Sequence, residues 1–251
     1  MSQKILFSNI GYAKGIDGTL WQHVSRAARH IYCSVPTQSL ILTQLKALMG
    51  AEQPDVCCFV EIEQGSFHTA YMNQLKYLMD DDYRFFDIAN KYGEGNWRNT
   101  MPFLRGRSNA FLSRQKIPFD RLYFTHGTKR LVYRLVLPGN IHVFFAHFSL
   151  DRRVRERQLQ EVRGLADQCP GDVIILADFN IMYGFSELKP LVEGSDLHIL
   201  SREEEHTFTF HRRRLALDLC ICSQTLLDRL TLRVIPQPFS DHEALLVEIA
   251  G

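Results

Sequence analysis

Several apolar runs of this chain stop or start on a polar residue that a plain core would not choose. "KILFSN" ends at Asn9, "DVCCFVE" at Glu61 and "IHVFFAH" at His147. "DVIILAD" ends at Asp178, with Asn180 two residues on. Asp218 lies inside the apolar "LALDLCIC", and "FSDHEALLVEI" leads into a strand through Asp241 and His242. Singly, each has an ordinary explanation: a strand-end Asn or Asp is a turn former, and a lone His is a satisfied structural group. Together they bring carboxylates, amides and imidazoles to the places where strands hand over to loops. Carboxylate oxygens with water are what Mg²⁺ prefers. An Asp beside a His orients and polarises the imidazole. An Asp with an Asn two residues away can hold an attacking water and a phosphoryl oxygen. The chain contains no GxSxG elbow, no GxxxxGK loop and no GxGxxG turn. Metal-assisted attack of water on a phosphorus ester is the chemistry that fits these residue types.

Such groups need rigid elements beneath them. Ten runs read as strands: 4–9, 55–61, 83–88, 108–113, 131–137, 141–147, 172–178, 215–222, 230–235 and 244–249. "TQSLILTQLKALMG" places Ile41, Leu45, Leu48 and Met49 on one helical face, with Thr37 as N-cap and Gly50 as the stop. "DRRVRERQLQEVRGLADQ" places Leu159, Val162, Leu165 and Ala166 on one face and mostly Arg, Glu and Gln on the other. Many strands and few helices argue for two sheets with helices packed outside. No repeat, linker or composition break divides the chain, so one domain over residues 1–251 is expected.

With 251 residues and 45% hydrophobic side chains, one sizeable core is affordable. The net charge of +1 does not demand a long nucleic acid, although a local basic groove is compatible with it. The six cysteines show neither a CxxC pair nor zinc-ligand spacing and read as buried reduced thiols. In a strand, Cys57 and Cys58 point to opposite faces. The first residues lack the apolar core of a signal peptide, and no run reaches the roughly 18 apolar residues of a membrane span. A cytoplasmic protein is the expectation.

In order along nearly the whole chain, "FSN" (7–9), "PDVCCFVEIE" (54–63), "SNAFLSR" (108–114), "AHFSLDRRVRERQLQ" (146–160), "ILADFN" (175–180), "TFTFHRRRLALDLCICS" (207–223) and "SDHEALLVEI" (240–249) resemble the endonuclease/exonuclease/phosphatase superfamily, whose members include DNase I-like nucleases, neutral sphingomyelinases and inositol polyphosphate 5-phosphatases. The resemblance implies a four-layered α/β sandwich, with two mixed β-sheets face to face, helices outside and the site at one end. It implies Glu61 as principal Mg²⁺ ligand (Mn²⁺ a possible substitute), with Asn9 and Asp241 contributing directly or through water. It implies Asp178 as the group that positions or deprotonates the water, and Asn180 and His147 as donors to phosphoryl oxygens. His242 becomes a phosphate contact or acid–base group, oriented by Asp218. Some nucleases of the family carry an acid two residues after the first Asn; here that position is Gly11, so a single Mg²⁺ is expected.

Residue types alone do not choose between a phosphodiesterase of nuclease type acting on nucleic acid or a nucleotide and a phosphodiesterase or phosphatase acting on a lipid headgroup or small soluble phosphoester, nor do they remove a non-catalytic phosphate-binding module. The intact set of acids favours catalysis over that last reading. Asn109, Arg152 and Arg212 are candidate substrate contacts. The arginine clusters at 152–155 and 212–214 are either solvated faces or the rim of a mouth for a polyanion. The irregular stretch 80–107, with Trp97 and Phe103, is either a surface loop or a substrate-shaping one. In "GTLWQHVSRAARHIYCS", Leu20, Val24, Ala27, Ala28 and Ile31 recur at helical spacing. That helix either packs on the sandwich or meets a lipid surface through its Trp and Arg residues.

Overall fold

Residues 2–251 are described by a computed structural model; the first residue of the expected 1–251 unit lies outside that range. Strands β1 (Gln3–Asn9), β2 (Val56–Glu63), β3 (Phe85–Asn90) and β4 (Arg107–Ser113) belong to the first sheet. β5 (Phe119–Tyr123), β6 (Leu131–Leu137), β7 (Ile141–His147), β8 (Asp172–Asp178) and β9 (Leu197–Ile199) belong to the second. β10 (Phe208–Phe210) and β11 (Arg213–Leu215) form a separate hairpin, β12 (Asp218–Ser223) returns to the second sheet, and β13 (Leu230–Ile235) and β14 (Ala244–Ile249) complete the first. The orders are β13-β14-β1-β2-β4-β3 and β5-β6-β7-β8-β12-β9. Each sheet holds one parallel pair, β1–β2 and β7–β8, among antiparallel neighbours.

Strand alternation explains the layers. Ile5 and Phe7 face the second sheet, where Tyr133, Phe145, Leu176 and Cys220 meet them, while Leu6 between them faces outward. On that outer side lie α2 (Val35–Glu52), through Ile41, Leu45 and Met49, and α3 (Gln74–Leu78), through Leu75 and Leu78. The second sheet's outer face carries Phe144, Ile175 and Ile221 against Leu159 and Val162 of α4 (Arg152–Asp167) and Leu191 of α5 (Lys189–Val192). Helix, sheet, sheet and helix make the expected four layers. Each fully buried Leu, Ile or Phe contributes about 1.5–3 kcal/mol of transfer free energy. Cys58 lies in the layer between the sheets and Cys57 in the outer one, as alternation requires, and all six cysteines are free.

The structure corrects several local expectations. α2 starts two residues before Thr37, with Ser34 at its N-cap and Pro36 in its first turn, where a missing N–H costs nothing. It runs through Gly50 and ends at Gln53, which takes the left-handed conformation at φ 52°. β5 and the short β9, β10 and β11 were not expected. The run at 83–88 pairs over Phe85–Asn90, and the run at 215–222 enters the sheet only at Asp218. On α4, Arg155 and Gln158 are buried rather than solvated: Arg155 pairs with Glu187, and Gln158 donates to the carbonyls of His126 and Lys129 at 2.9 and 2.8 Å. The segment at 20–31 does not pack its apolar residues on the sandwich. α1 (Leu20–Ser25) buries none of its residues, and Leu20, Val24 and Ile31 are exposed. Among the described residues no helix is long and apolar enough to cross a membrane.

Candidate active site

Strand direction alone gathers the polar strand ends. β1 and β2 run parallel and side by side, as do β7 and β8, so Asn9, Glu61, His147 and Asp178 all finish at one end of the sandwich. His147 lies directly opposite Asp178 in the register. The antiparallel partners begin where these strands end: Asp218 opens β12 opposite Asp178, and Asp241 and His242 precede β14 beside the end of β1.

At the centre is the Asp178 carboxylate, 1% exposed. Its Oδ2 accepts from Asn9 Nδ2 at 3.0 Å and lies 3.1 Å from His147 Nε2; its Oδ1 accepts from the Asn180 backbone N–H at 3.1 Å. Burial pushes this carboxyl up, but His147, His242 and Lys129 more than reverse that and hold it well below the usual carboxylate range. Asn180 has φ 53°, a conformation Asn tolerates, and its side-chain amide donates to the Phe148 carbonyl at 3.0 Å. That bond aims the side chain across the loop after β7, which is itself tied back by Phe148 N–H donating to Asp178 O at 2.9 Å.

His242 bridges two acids. Its Nδ1–H donates to Asp218 Oδ2 at 2.6 Å; its Nε2 lies 3.4 Å from Asn9 Nδ2 and 4.0 Å from Asp178 Oδ2. Burial pulls the imidazole down, yet Asp218, Asp178 and Asp241 raise it far more, so His242 is held as a cation. The ligating atoms of Asp178, Asp218 and His242 are close enough together for one ion. A protonated imidazole already committed to Asp218 is a poor ligand, so this trio is better understood as a hydrogen-bonded relay than as a metal site. His147 is the opposite case: burial and then Lys129 lower it to about 4, leaving it neutral.

Glu61 sits on a bulge. β2 slips register against β4 between Phe59 and Ile62, and Glu61 takes φ 55°. Val60 faces the inter-sheet core while Ile62 faces the helix side, so the bulge resets the alternation and frees Glu61 to point out of the strand end. Burial raises its carboxyl, but His147, Lys91 and Lys129 outweigh that and bring it to about 2. Its Oε1 is 3.7 Å from His147 Nδ1 and 3.9 Å from Lys91 Nζ, longer than hydrogen bonds. Glu61 and Asp241 line one small cavity with Gly11, Lys14, His23, His30 and Ser240. Two facing acids, one with oxygens free of close hydrogen bonds and the other raised by burial and by Glu61, suit a hard, oxygen-seeking divalent cation. Asn9 Oδ1 accepts from Gly11 N–H at 3.1 Å, and its second lone pair remains for an ion or its water.

Sequence reasoning missed two cations. Lys129, in the loop between β5 and β6, brings its ammonium against His147 Nε2, and its charge acts on both Asp178 and Glu61. Lys91, just past β3, is 5% exposed and touches the Tyr12 hydroxyl and Glu61. No local pattern marks either residue, because a loop lysine enters a site only through tertiary packing. Of the candidate substrate contacts, Asn109 is buried on β4, with an Oδ1 that accepts no bond from the protein. Arg152 is largely exposed, 3.9 Å from Glu187 and over the Tyr183 ring. Arg212 is exposed at the tip of the β10–β11 hairpin. None of the three joins the Asp178 network.

The fold is shared with known proteins. Residues 41–242 match the family model described as "Endonuclease/Exonuclease/phosphatase family". Truncated TDP2 of Caenorhabditis elegans superposes with a TM-score of 0.65 at 15% identity, covering 100% of this chain and 98% of that one. The endonuclease domain of TRAS1, a telomere-specific non-LTR retrotransposon, gives 0.62 at 14% identity over 100% and 99%. An endonuclease/exonuclease/phosphatase family protein from Bacteroides thetaiotaomicron gives 0.61 at 12% identity over 99% and 95%. At such identities these likenesses speak for the fold. No curated protein matches the chain.

Proposed function

The chain belongs to the endonuclease/exonuclease/phosphatase family, and we propose that it is a Mg²⁺-dependent hydrolase of phosphoester bonds, of phosphodiesterase type. One observation carries this reading: the Asp178 carboxylate, the His242 imidazole and the amide of Asn9 meet at one point, beside the acids Glu61 and Asp241.

Glu61 and Asp241, with Asn9, would hold the cation, which polarises a phosphoryl oxygen when bound. Asp178, fixed by Asn9, His147 and the Asn180 N–H, keeps a lone pair toward the reacting centre, where it orients a water and accepts its proton as the oxygen attacks phosphorus. His242, raised by its flanking acids, takes the complementary role: it donates to the phosphoryl oxygen as negative charge develops there, the P–O ester bond breaks, and the leaving oxygen departs with a proton from water. Asp218 holds the ring in place and supports its charge. Lys129 adds positive potential that draws an anionic ester into the site; Lys91, which burial lowers to about 7, adds only part of a charge at neutral pH. A cytoplasmic location is part of the same proposal and rests on the free cysteines.

The test is a panel of a soluble bis-aryl phosphodiester, a matching monoester, intact and abasic DNA, RNA and phospholipid, each with Mg²⁺ and with chelator. Diester turnover with Mg²⁺ and none with chelator is expected. Monoester turnover alone would replace the diesterase reading by a phosphatase one. Phosphate-ester binding without any turnover would make the protein a binding module.

A further inference from the structure

The segment 18–33 covers the Glu61–Asp241 cavity with its polar side and turns its apolar side to water. His23 and His30 line that cavity. Leu20, Trp21 and Val24, on the other side of α1, are 58%, 77% and 68% exposed. Ile31, just beyond, is 68% exposed. This is the reverse of a helix that packs on a core.

The surface is held firmly. The Gly18 carbonyl accepts from His211 N–H at 2.7 Å, and a Cβ at Gly18 would lie 1.9 Å from the Thr209 carbonyl, so only glycine fits there. The His23 ring packs edge-on against Phe210 and His211. Arg29 Nη1 donates to the Lys14 carbonyl at 2.9 Å, and Cys33 N–H donates to the His68 carbonyl at 2.8 Å.

The apolar strip continues past the segment. Tyr32 meets Phe67, and Phe67 meets Phe103 edge-on at 5.0 Å, joining residues 64–73 and 95–107 to it. A connected exposed apolar patch at the mouth of a site marks an interaction surface. Its charge says with what. Residues 18–36, 64–73 and 95–107 carry five arginines and not one Asp or Glu; Arg105 is exposed and Arg98 half-exposed, while Arg26 and Arg29 are tied to the Gly15 and Lys14 carbonyls and Arg107 lies over the Tyr12 ring. The partner is therefore anionic and apolar at once. Tyr32, Phe67 and Phe103 pack against one another, and around α1 the exposed ring of Trp21 is surrounded by the aliphatic Leu20, Val24 and Ile31, a composition closer to an acyl boundary than to a stacking platform. An anionic bilayer satisfies both halves: arginines at the phosphates, with Trp21 and the aliphatics at the acyl boundary.

We propose that the face formed by residues 18–36, 64–73 and 95–107 docks on the surface of anionic lipid membranes, with the Glu61–Asp241 cavity just beneath it. The docking does not depend on the hydrolase reading. It is tested by co-sedimentation with vesicles of phosphatidylcholine mixed with phosphatidylserine and vesicles of phosphatidylcholine alone, with turnover of the soluble bis-aryl diester measured in parallel. The wild type is expected to sediment with the mixed vesicles and to be released by salt. Trp21→Ala with Ile31→Ser is expected to weaken that binding roughly tenfold or more, as is Val24→Gln on its own to a smaller degree. All these side chains are exposed, so diester turnover and circular dichroism should stay at the wild-type level. Failure of the wild type to sediment, or equal sedimentation of the variants, would overturn the proposal. So would Trp21-dependent binding of a single-stranded oligonucleotide without vesicles, or a concentration-dependent dimer that the variants lose. Vesicle binding without diester turnover would leave the docking standing and remove the hydrolase reading instead.

Discussion

Replacing Asp218 by Asn separates the two things that residue does for His242. Asp218 is fully buried, and its Oδ2 accepts from His242 Nδ1 at 2.6 Å. Asn keeps the shape and an acceptor oxygen but removes the charge. A buried hydrogen bond to a charged group contributes about 1.5–3 kcal/mol, against about 1 kcal/mol for a neutral one. The difference, roughly 0.5–2 kcal/mol, corresponds to a downward shift of His242 by about half to one and a half pH units. Asp178 at 4.0 Å and Asp241 remain, so the ring stays charged at neutral pH. The sign follows: His242 is raised in the folded protein, so losing part of that raise moves the basic limb of the rate profile to lower pH while the plateau persists. The assays are an imidazole NMR titration of His242 and the pH dependence of kcat/KM on the soluble diester. Unchanged titration of His242 in Asp218→Asn would refute the claim that this carboxylate sustains the imidazolium.

Glu63 provides a test in the core. It is fully buried, and burial raises its carboxyl from 4.5 to about 7 despite Thr69 Oγ1 donating to its Oε2 at 3.4 Å and the charge of Arg107 nearby. A raised acid costs stability as pH climbs from the unfolded value through the folded one, so Glu63→Gln should gain up to about 3 kcal/mol on the wild type at pH 8.5 and nothing below pH 4.5, read by urea denaturation. Lys129→Gln should leave the fold intact and lower kcat/KM on the diester by roughly 10–100-fold, with the pKa of His147 rising because a cation beside it has gone. An unchanged His147 titration in that variant would show that the Lys129 ammonium does not reach it.

The parts of this molecule legible in the sequence are those that depend on short-range pattern. β6, β7, β8 and β14 begin and end where apolar runs bounded by polar residues begin and end, because both faces of a central strand are covered, and the edge strand β13 shows instead the alternation of a strand with one face in water. Asn9, Glu61, His147 and Asp178 stand out for the same reason: each breaks such a run. β5 is an edge strand whose "FDRLY" has little apolar signal, and β9, β10 and β11 have three residues each, too short for any period. α2 begins early because Pro36 and Ser34 outrank Thr37 as a starting signal. The bulge at Glu61 leaves no trace in "FVEIE", since its cause is the pairing with β4. Lys91 and Lys129 are loop residues whose importance exists only once two sheets have brought them to one point. The segment at 20–31 misleads because its helical spacing is real, but the face it marks is turned outward.

The central claim is that Asp178 serves a divalent-cation-dependent attack of water on phosphorus, and the most direct measurement is turnover of a bis-aryl phosphodiester by wild type and Asp178→Asn with Mg²⁺ and with chelator. The account requires Mg²⁺-dependent turnover in the wild type, lost on chelation and lowered by at least roughly a thousandfold in Asp178→Asn, with the fold unchanged by circular dichroism. Equal turnover by the two proteins, or turnover indifferent to chelator, would contradict it.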